Sequence, residues 1–478
     1  MPPGPIGLSF IGNRHQMPIL KPWLKFAQWS HHYGPVVSIY MGSTPNIILN
    51  SPEAAWDLLE KRSDIYSSCP RFIVASEILS DNKRGAMLPY GSVWCKWRKV
   101  MYLGFNSRGA ETYKEIQSIE SNVMILQILQ QPELYEKHIE RFSASVASSV
   151  VYGRRVESGD NWIVQEMAAS RSWKYIVESL PFLLKLPRKL QWFRAEPEAR
   201  RQEDRKFLIQ LLKEVKERMK NSSSPECLAA QTLSEMDING MTELEVAYAV
   251  ASPFQNGLDT ARDLSGEHIH HSLVSMMNFP HVMRKAQAEL DLIVGPNRLP
   301  SFQDIKQLPY VRAVVNEALR WRPNPVLGGT PHSVTMDNVY NGMFIPKGSS
   351  LFMNFFVMMR DPTMFPLPDE FRPERFIETT NPWLLNFDLC FGFGRRKFPG
   401  MHLALNSISI KVACILWAFN ITTLVDKHGM PILPGWDTYQ NDTIVASFDC
   451  MFSARTEVAA KRIELECSLS KERLENWK

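Results

Sequence analysis

Two pairs of side chains stand at spacings that a helix would bring onto one face. Glu317 and Arg320 are three positions apart, and Trp94 and Arg98 are four apart. A carboxylate and a guanidinium at the first spacing commonly form a surface ion pair worth a few tenths of a kcal/mol. At the second spacing simple packing is the ordinary explanation, although the fork of an arginine also suits a carboxylate. Neither pair identifies a site by itself.

Two further groups of polar residues lie in one long helical pattern. Asp259 and Thr260 place an acid beside an alcohol, and their plain interpretation is that they loosen or kink the helix. His268 and His271 are i, i+3 neighbours, and imidazole is a common zinc ligand. Two ligands on one face do not make a metal site, so we interpret the histidines as part of a solvated polar face.

The helix that must position these residues is predicted to run from Thr242 to Met277. Thr242 and Glu245 match a capping box at its start, and Pro280 follows its end. Pro253 lies inside it and should kink it. At ~1.5 Å per residue the helix would be roughly 50 Å long, enough to cross a domain. Helix-period apolar positions predict further helices at 54–60, 133–152, 206–219, 280–294, 308–320 and 401–418.

Strand signals are few. Residues 36–41 and 45–50 read as two short strands around a Gly-Ser-Thr turn, and shorter pieces lie between 326 and 352 and near the C-terminus. Strands segregated from a helical majority predict a mostly α-helical α+β fold. Because the loop at 221–225 is too short to be a linker, we predict a single domain over 1–478.

Composition bounds the function. The chain has 478 residues, of which 45% are hydrophobic, and this allows a large core. A net charge of +4 argues against nucleic-acid binding across a whole domain. Seven scattered cysteines are typical of reduced intracellular thiols rather than of a disulfide framework. No apolar run reaches the ~18 residues that a spanning helix needs, so no transmembrane anchor is predicted.

The stretch from Phe391 to Gly400 is similar to the haem-binding loop of cytochromes P450, whose pattern is F-x-x-G-x-R-x-C-x-G. The residues at the fixed positions of this pattern are Phe391, Gly394, Arg396, Phe398 and Gly400. All match except Phe398, which stands where the family has the cysteine that bonds the iron. The resemblance covers nearly the whole chain and is strongest to fungal P450s of secondary metabolism, near the O-methylsterigmatocystin oxidoreductases.

This resemblance gives the first two pairs a role. Glu317 and Arg320 match the E-x-x-R of the family, and Arg375 lies in the matching P-E-R-F, so the three would form a buried charge triad that braces the haem loop. The family also implies a haem cofactor. Its propionates would be held by Trp94, Arg98, His332 and Arg396.

Residues 256–261 resemble the oxygen-activation motif of the family, [A/G]-G-x-[D/E]-T-[T/S]. By this resemblance Asp259 and Thr260 would be the catalytic residues that relay protons to iron-bound oxygen. The motif is damaged, because Asn256 replaces a small residue and Ala261 replaces a hydroxyl.

The family further implies a hydrophobic small-molecule substrate and NADPH delivered through cytochrome P450 reductase, an acidic partner that Lys96, Arg395 and Lys397 could face. It implies an intracellular location at the surface of the endoplasmic reticulum membrane. Residues 180–193 mix apolar and basic side chains and would dip into that membrane, or pack on their own domain. Residues 1–8 resemble the proline-rich hinge that follows an anchor helix in the family, with the anchor itself absent.

Phe398 changes what the resemblance predicts. A thiolate gives P450 iron its electron push for O–O cleavage, and phenylalanine has no lone pair to offer. Haem retention should weaken and the push should be lost, while the ring could fill part of an empty pocket. Cys390 and His402 flank the position, but neither should reach the iron without rebuilding the loop.

Three hypotheses remain. The chain is a monooxygenase in which Phe398 reflects a sequence error, an engineered change or unusual ligation. Alternatively, it is a pseudoenzyme that binds a small molecule without oxygen chemistry. In the third hypothesis, it performs haem-independent cyclisation or isomerisation steered by Asp259. Phe398, the damaged oxygen motif and the absent anchor favour the pseudoenzyme.

Overall fold

The computed structural model describes residues 1–158, 176–221, 226–262, 265–434 and 448–474, with the backbone alone at 176, 179, 255–262, 265–268, 471 and 472. The longer helices, labelled in chain order, are α1 (Pro22–Tyr33), α2 (Ser92–Phe105), α3 (Ser107–Thr112), α4 (Lys114–Gln130), α5 (Tyr135–Tyr152), α6 (Ala195–Lys220), α7 (Leu228–Ser234), α8 (Glu243–Arg262), α9 (Ser265–Asn278), α10 (Pro280–Ile293), α11 (Pro309–Trp321), α12 (Met401–Ala418) and α13 (Glu457–Leu474).

Short helical pieces join these helices. They are Arg14–Gln16, Pro52–Ala55, Trp56–Glu60, Ser63–Tyr66, Ile73–Ile78, Gly85–Met87, Pro132–Leu134, Ile176–Ser179, Pro181–Lys185, Arg188–Leu190, Trp192–Arg194, Phe302–Ile305, Phe355–Met358, Pro373–Phe376, Pro382–Leu385, Leu389–Phe391 and Gly394–Arg396. Two of them, Gly85–Met87 and Gly394–Arg396, lie shortly before α2 and α12.

The strands form one small sheet and two hairpins in the described part of the chain. They are β1 (Val36–Met41), β2 (Thr44–Leu49), β3 (His332–Ser333), β4 (Asn338–Tyr340), β5 (Met343–Ile345), β6 (Ser350–Met353), β7 (Phe419–Thr423) and β8 (Cys450–Ala454). The sheet has the order β1-β2-β6-β3, in which β2 and β6 are parallel and the other pairs antiparallel. β4 pairs with β5, and β7 with β8. The predicted mostly helical α+β fold is confirmed.

The helices predicted at 280–294, 308–320 and 401–418 begin within one residue of α10, α11 and α12, whereas the helix predicted at 206–219 is the last part of α6, which begins at Ala195. At Thr242 the backbone N–H donates to Glu245 Oε2 over 2.7 Å, and the Glu245 N–H donates back to Thr242 Oγ1 over 3.3 Å. The helix predicted over 242–277 is described as α8 and α9, and residues 263–264 between them lie outside the described residues. Pro253 lies inside α8. Of the loop predicted at 221–225, only residue 221 is described.

Helix α12 forms the centre of the core, where it packs against α4, α9, α10 and α11. Its apolar residues continue around the whole helix because nearly every side is covered, and even Lys411 is fully buried. Among the described residues α12 is the one helix long and apolar enough to cross a membrane. No run of this length was predicted from the sequence, and this helix is 61% buried inside the protein, as a core helix is.

Candidate functional site

The stretch from Phe391 to Gly400 forms a tight loop immediately before α12. The Phe398 N–H donates to the Phe391 carbonyl over 2.8 Å, and the two rings stack with centroids 6.3 Å apart and planes 13° apart. Gly394 adopts a φ of +55°, and a Cβ there would lie 2.2 Å from the Leu59 carbonyl oxygen. At Gly400 a Cβ would lie 3.0 Å from the Phe398 ring, so glycine leaves that ring its space.

A cavity of about 430 Å³ opens on one side of this loop. Phe398 forms part of its wall together with Phe391 and Gly400, and apolar side chains of α2, α5 and α12 form much of the rest. Pro253 brings α8 to the same cavity. The site residues predicted from the sequence that line it are Trp94, Arg98, His332, Phe391, Arg396, Phe398 and Gly400. Gly394 supports the loop without lining the cavity.

Two guanidinium groups in the wall carry the positive charge of the cavity. Arg396 donates to the carbonyls of Ser67, Ala86 and Leu88 over 2.8, 3.2 and 2.5 Å. Arg98 makes no hydrogen bond or ion pair with any residue that the structure describes. Burial and then the charge of Arg396 lower the pKa of Arg98, and burial lowers the pKa of Arg396. An anion in the cavity would relieve both effects.

Trp94 adds a hydrogen-bond donor beside Arg98 and Arg396, and these three residues are called the charged wall. The Trp94 ring lies 4.8 Å below the Arg396 guanidinium, a cation–π distance. Its buried Nε1 has no hydrogen-bond partner within the described part of the chain. A buried donor without a partner is costly unless a ligand or water accepts its proton. Among the described residues, Trp94 and Arg98 therefore offer the same cavity a donor and a cation that have no other partner.

His332, which the resemblance places among the partners of the propionates, lies in the cavity wall as a neutral side chain. Its Nδ1 lies 2.8 Å from the Tyr66 carbonyl oxygen, so Nδ1 carries the proton and donates it there. Burial lowers the pKa of His332 to about 4, which leaves the ring neutral near pH 7. In this tautomer Nε2 is an acceptor, so His332 could bind a carboxylate only by taking up a second proton.

The predicted charge triad is assembled behind the cavity, not in its wall. Arg320 Nε donates to Glu317 Oε2 over 2.7 Å, and Arg375 Nε donates to Glu317 Oε1 over 3.1 Å. All three side chains are buried. The ion pair fixes α11 to the segment Pro373–Phe376, whose Phe376 packs on Phe387 ahead of the loop with ring centroids 5.0 Å apart.

Asp259 and Thr260 lie on the backbone of α8, the helix that brings Pro253 to the cavity. Their side chains, with those of Asn256 and Ala261, lie outside the described residues, as does the side chain of His268. The catalytic role of Asp259 and Thr260 therefore stays a prediction from the resemblance.

Two thiols in the cavity wall were not among the predicted site residues. Cys390 lines the same cavity as Phe398, although sequence analysis placed it out of reach of an iron. Cys69 also lines it, and its Sγ lies 3.6 Å from the carbonyl oxygens of both Ala86 and Pro331. Burial raises the pKa of Cys69 to about 11 and also raises the pKa of Cys390. No motif would have marked either, because only the fold brings them beside the loop.

The residues of the cavity fit part of a haem and not all of it. The guanidinium of Arg98 and the Nε1 of Trp94, both without a partner among the described residues, suit the two propionates together with the charge of Arg396, and the apolar wall suits the ring. At Phe398 there is no atom that can coordinate a metal. We therefore assign the periphery of a haem to these residues and assign no reaction step to its iron.

The segment 180–193 consists of the short helices Pro181–Lys185, Arg188–Leu190 and Trp192–Arg194. The side chains of Phe182, Leu190 and Trp192 are exposed, with relative accessibilities of 61%, 58% and 63%. Phe193 is instead buried against Ile73 and neighbouring apolar residues. One face of the segment therefore packs on its own domain, and the other is exposed in the described structure. Insertion of the exposed face into a membrane stays a prediction.

Comparisons with known proteins agree with this geometry. The family model described as Cytochrome P450 matches residues 2–441. Cytochrome P450 monooxygenase 253 of Postia placenta is 35% identical over 96% of this chain and 90% of its own length. Cytochrome P450 monooxygenase criE of Aspergillus cristatus is 32% identical over 98% of the chain and 87% of its own length. The fold is that of a zebra fish cytochrome P450 solved with abiraterone, with a TM-score of 0.73 at 21% identity, over 92% of this chain and 100% of that one.

Proposed function

The chain belongs to the cytochrome P450 family, and from this premise we propose that it binds a hydrophobic small molecule in the cavity beside Phe398 without the oxygen chemistry of its relatives. One observation carries the proposal. The Phe398 ring, fixed by Phe391 and Gly400, stands in the cavity wall at the position where the resemblance places the thiolate. The relatives are named as monooxygenases, and the push of a thiolate is what that activity needs.

The lining of the cavity supports a ligand that is mostly apolar with an acidic end. Val146, Val150, Leu403 and Ile408 supply apolar wall, and burying such surface contributes ~25 cal/mol per Å². The charged wall at Arg98 would hold a carboxylate. A fungal metabolite that is both hydrophobic and acidic fits this description, as does the haem periphery itself.

The residues of this chain would act on the ligand by position and charge. Arg98 and Arg396 would hold its anionic group, and Trp94 Nε1 would donate to the same group. His332 would take up a proton only when a carboxylate lies near Nε2. Haem, when bound, would add the redox chemistry of its iron.

The expected partners of the family are proposals for this chain. We propose NADPH–cytochrome P450 reductase as a partner, although the three candidate cations already have contacts on this protein. Lys96 Nζ donates to the Gly240 carbonyl over 2.5 Å, and Lys397 pairs with Asp388. Arg395 donates to the Tyr90 hydroxyl over 2.7 Å. None of these contacts is buried deeply enough to prevent exchange for a partner carboxylate.

We also propose a peripheral contact with the membrane surface of the endoplasmic reticulum. The exposed side chains of Phe182, Leu190 and Trp192 would enter the interface, and Arg188 and Lys189 between them would meet anionic lipid. Single exposed apolar residues are ordinary, but this group lies on one short segment beside basic residues.

The absorption spectrum of the reduced protein with carbon monoxide tests the loss of oxygen chemistry. The chain expressed with haem precursor should lack the red-shifted Soret band that thiolate ligation produces. Phe398→Cys should gain this band, because the loop keeps the other fixed residues of the family pattern around position 398. Phe398→Ser is the matched control, since it removes the ring without adding a thiolate and should show no red shift.

A second candidate is monooxygenation through another thiol, which is favoured by the presence of Cys390 and Cys69 in the same cavity wall. A red-shifted band in the unaltered chain would support this candidate and contradict our proposal. Loss of that band in Cys390→Ala or in Cys69→Ala would then identify the ligand.

A further inference from the structure

We propose that the cavity recognises protoporphyrin by its carboxylates and its ring rather than by its metal, so that it binds metal-free, zinc and iron protoporphyrin with similar affinity. The inference rests on the proposed function, because it concerns the same cavity and the same missing ligand. It differs from the behaviour expected of relatives in which a thiolate bonds the iron. Three features of the wall carry it.

The first feature is the charged wall, which interacts only with the propionates. Arg98 makes no ion pair or hydrogen bond within the described residues, and the buried Trp94 Nε1 is likewise without a partner there. Arg396 is fixed by three carbonyl oxygens and keeps its charge beside them. Hydrogen bonds to charged groups are among the stronger ones in proteins, and their contribution is the same whatever metal the ring holds.

The second feature is the aromatic part of the cavity wall. Phe398 and Phe391 are stacked with planes 13° apart and both line the cavity, as do Trp97 and Phe355. Aromatic faces interact with a planar conjugated ring through area and offset stacking. Replacing the metal changes neither the contact area nor the stacking geometry of the porphyrin ring greatly.

The third feature is the absence of a strong donor to the metal in the described part of the wall. Phe398 has no lone pair. Cys69 Sγ is within hydrogen-bonding distance of two carbonyl oxygens, and the raised pKa of both Cys69 and Cys390 keeps these thiols protonated near pH 7. A thiol binds a metal strongly only as the thiolate. The iron therefore adds little to affinity from this side.

Binding titrations with the full chain test the inference. Metal-free, zinc and iron protoporphyrin should quench tryptophan fluorescence with dissociation constants within about threefold of one another, a difference of ~0.6 kcal/mol. The dimethyl ester of metal-free protoporphyrin should bind at least about tenfold more weakly, because it lacks the carboxylates that the charged wall holds.

Variants separate the three features. Arg98→Gln should weaken all three porphyrins by the same factor, about tenfold, because it removes one charged contact. Phe398→Cys should raise affinity for iron protoporphyrin at least about tenfold over the metal-free ring, whereas Phe398→Ser should keep the ratio near one. Porphyrin titrations of the unaltered chain decide the question even where a variant fails to fold.

Iron protoporphyrin binding more than about tenfold tighter than the metal-free ring would overturn the inference, because some side chain must then bond the iron. Loss of that preference in Cys390→Ala would identify the side chain. If no porphyrin binds while an apolar carboxylate still does, the inference fails and the proposed function stands. A red-shifted band with carbon monoxide would instead overturn the proposed function.

Discussion

The two sides of the loop Phe391–Gly400 differ in how completely they keep the chemistry of the family. Behind the loop, Glu317, Arg320 and Arg375 form a closed and buried charge network in which both carboxylate oxygens are used. In front of it, the cavity keeps the charged wall but has an aromatic ring where a metal ligand is expected. In our proposal, the network belongs to the fold and the cavity to a ligand.

This difference indicates which requirements still act on the chain. A buried network that lost one member would leave an uncompensated charge, so it remains whole as long as the protein must fold. At position 398 the phenylalanine ring packs on Phe391 and Gly400, so we expect it to be compatible with the fold. Variants on each side of the loop test this division, beginning with the largest expected effect.

Glu317→Gln should cost about 3–5 kcal/mol of unfolding free energy, because it leaves Arg320 and Arg375 buried without a counter-charge. Urea denaturation followed by circular dichroism measures this loss. Glu111→Gln is the control, since Glu111 pairs with Lys114 at the surface and is itself 63% exposed. Its loss should be below about 1 kcal/mol.

A loss in Glu317→Gln no greater than in Glu111→Gln would contradict the division. The triad would then contribute little to the unfolding free energy, and a role in ligand binding would be the alternative. Porphyrin affinity of the folded fraction checks this, and we expect that affinity to be unchanged because none of the triad lines the cavity.

On the cavity side, His332 should make the unfolding free energy depend on pH. The pKa of His332 is lowered by burial from an ordinary 6.5 to about 4 in the folded protein. Below pH 6.5 the unfolded chain therefore binds a proton that the folded chain refuses, and stability falls as the pH drops toward about 4. His332→Gln should remove this part of the loss, up to about 3 kcal/mol, and retains an N–H for the Tyr66 carbonyl.

The difference between the two proteins, measured by thermal unfolding from pH 7 to pH 4, isolates His332 from other groups that titrate. His31→Gln makes the same substitution at an exposed histidine and serves as the matched control. A carboxylate ligand near Nε2 should also reduce the slope, since it favours the protonated ring. Equal slopes in the unaltered chain and His332→Gln would show that His332 does not stay neutral in the fold.

The sequence predicted the triad side better than the cavity side, for physical reasons. Helical period places Glu317 and Arg320 on one face, but by itself it favoured a surface pair, and the buried triad with Arg375 was predicted only from the resemblance to the family. Helix α12 was predicted with its observed ends because its apolar pattern is continuous. The cavity wall instead comes from segments far apart in sequence. Cys69 meets Ala86 and Pro331 only after folding. The tautomer of His332 likewise depends on a carbonyl at Tyr66 that no pattern indicates.

Trp94→Phe should have the smallest effect on the unfolding free energy and a selective effect on binding of the carboxylate. The ring remains, so packing and the contact with Arg396 are largely kept, whereas the Nε1 donor is removed. Because Nε1 is buried without a partner in the described structure, its removal should change unfolding free energy by no more than about 1 kcal/mol. Affinity for protoporphyrin should fall about five- to tenfold, and affinity for its dimethyl ester much less.

Trp97→Phe makes the same chemical change at a neighbouring ring whose Nε1 is also without a described partner. Isothermal titration of both variants decides whether the donor at Trp94 recognises a carboxylate. A loss confined to Trp94→Phe would place the carboxylate beside Arg98, since that guanidinium stands one helical turn further along α2. Equal losses in the two variants would contradict a specific role of Trp94 Nε1 in holding the carboxylate.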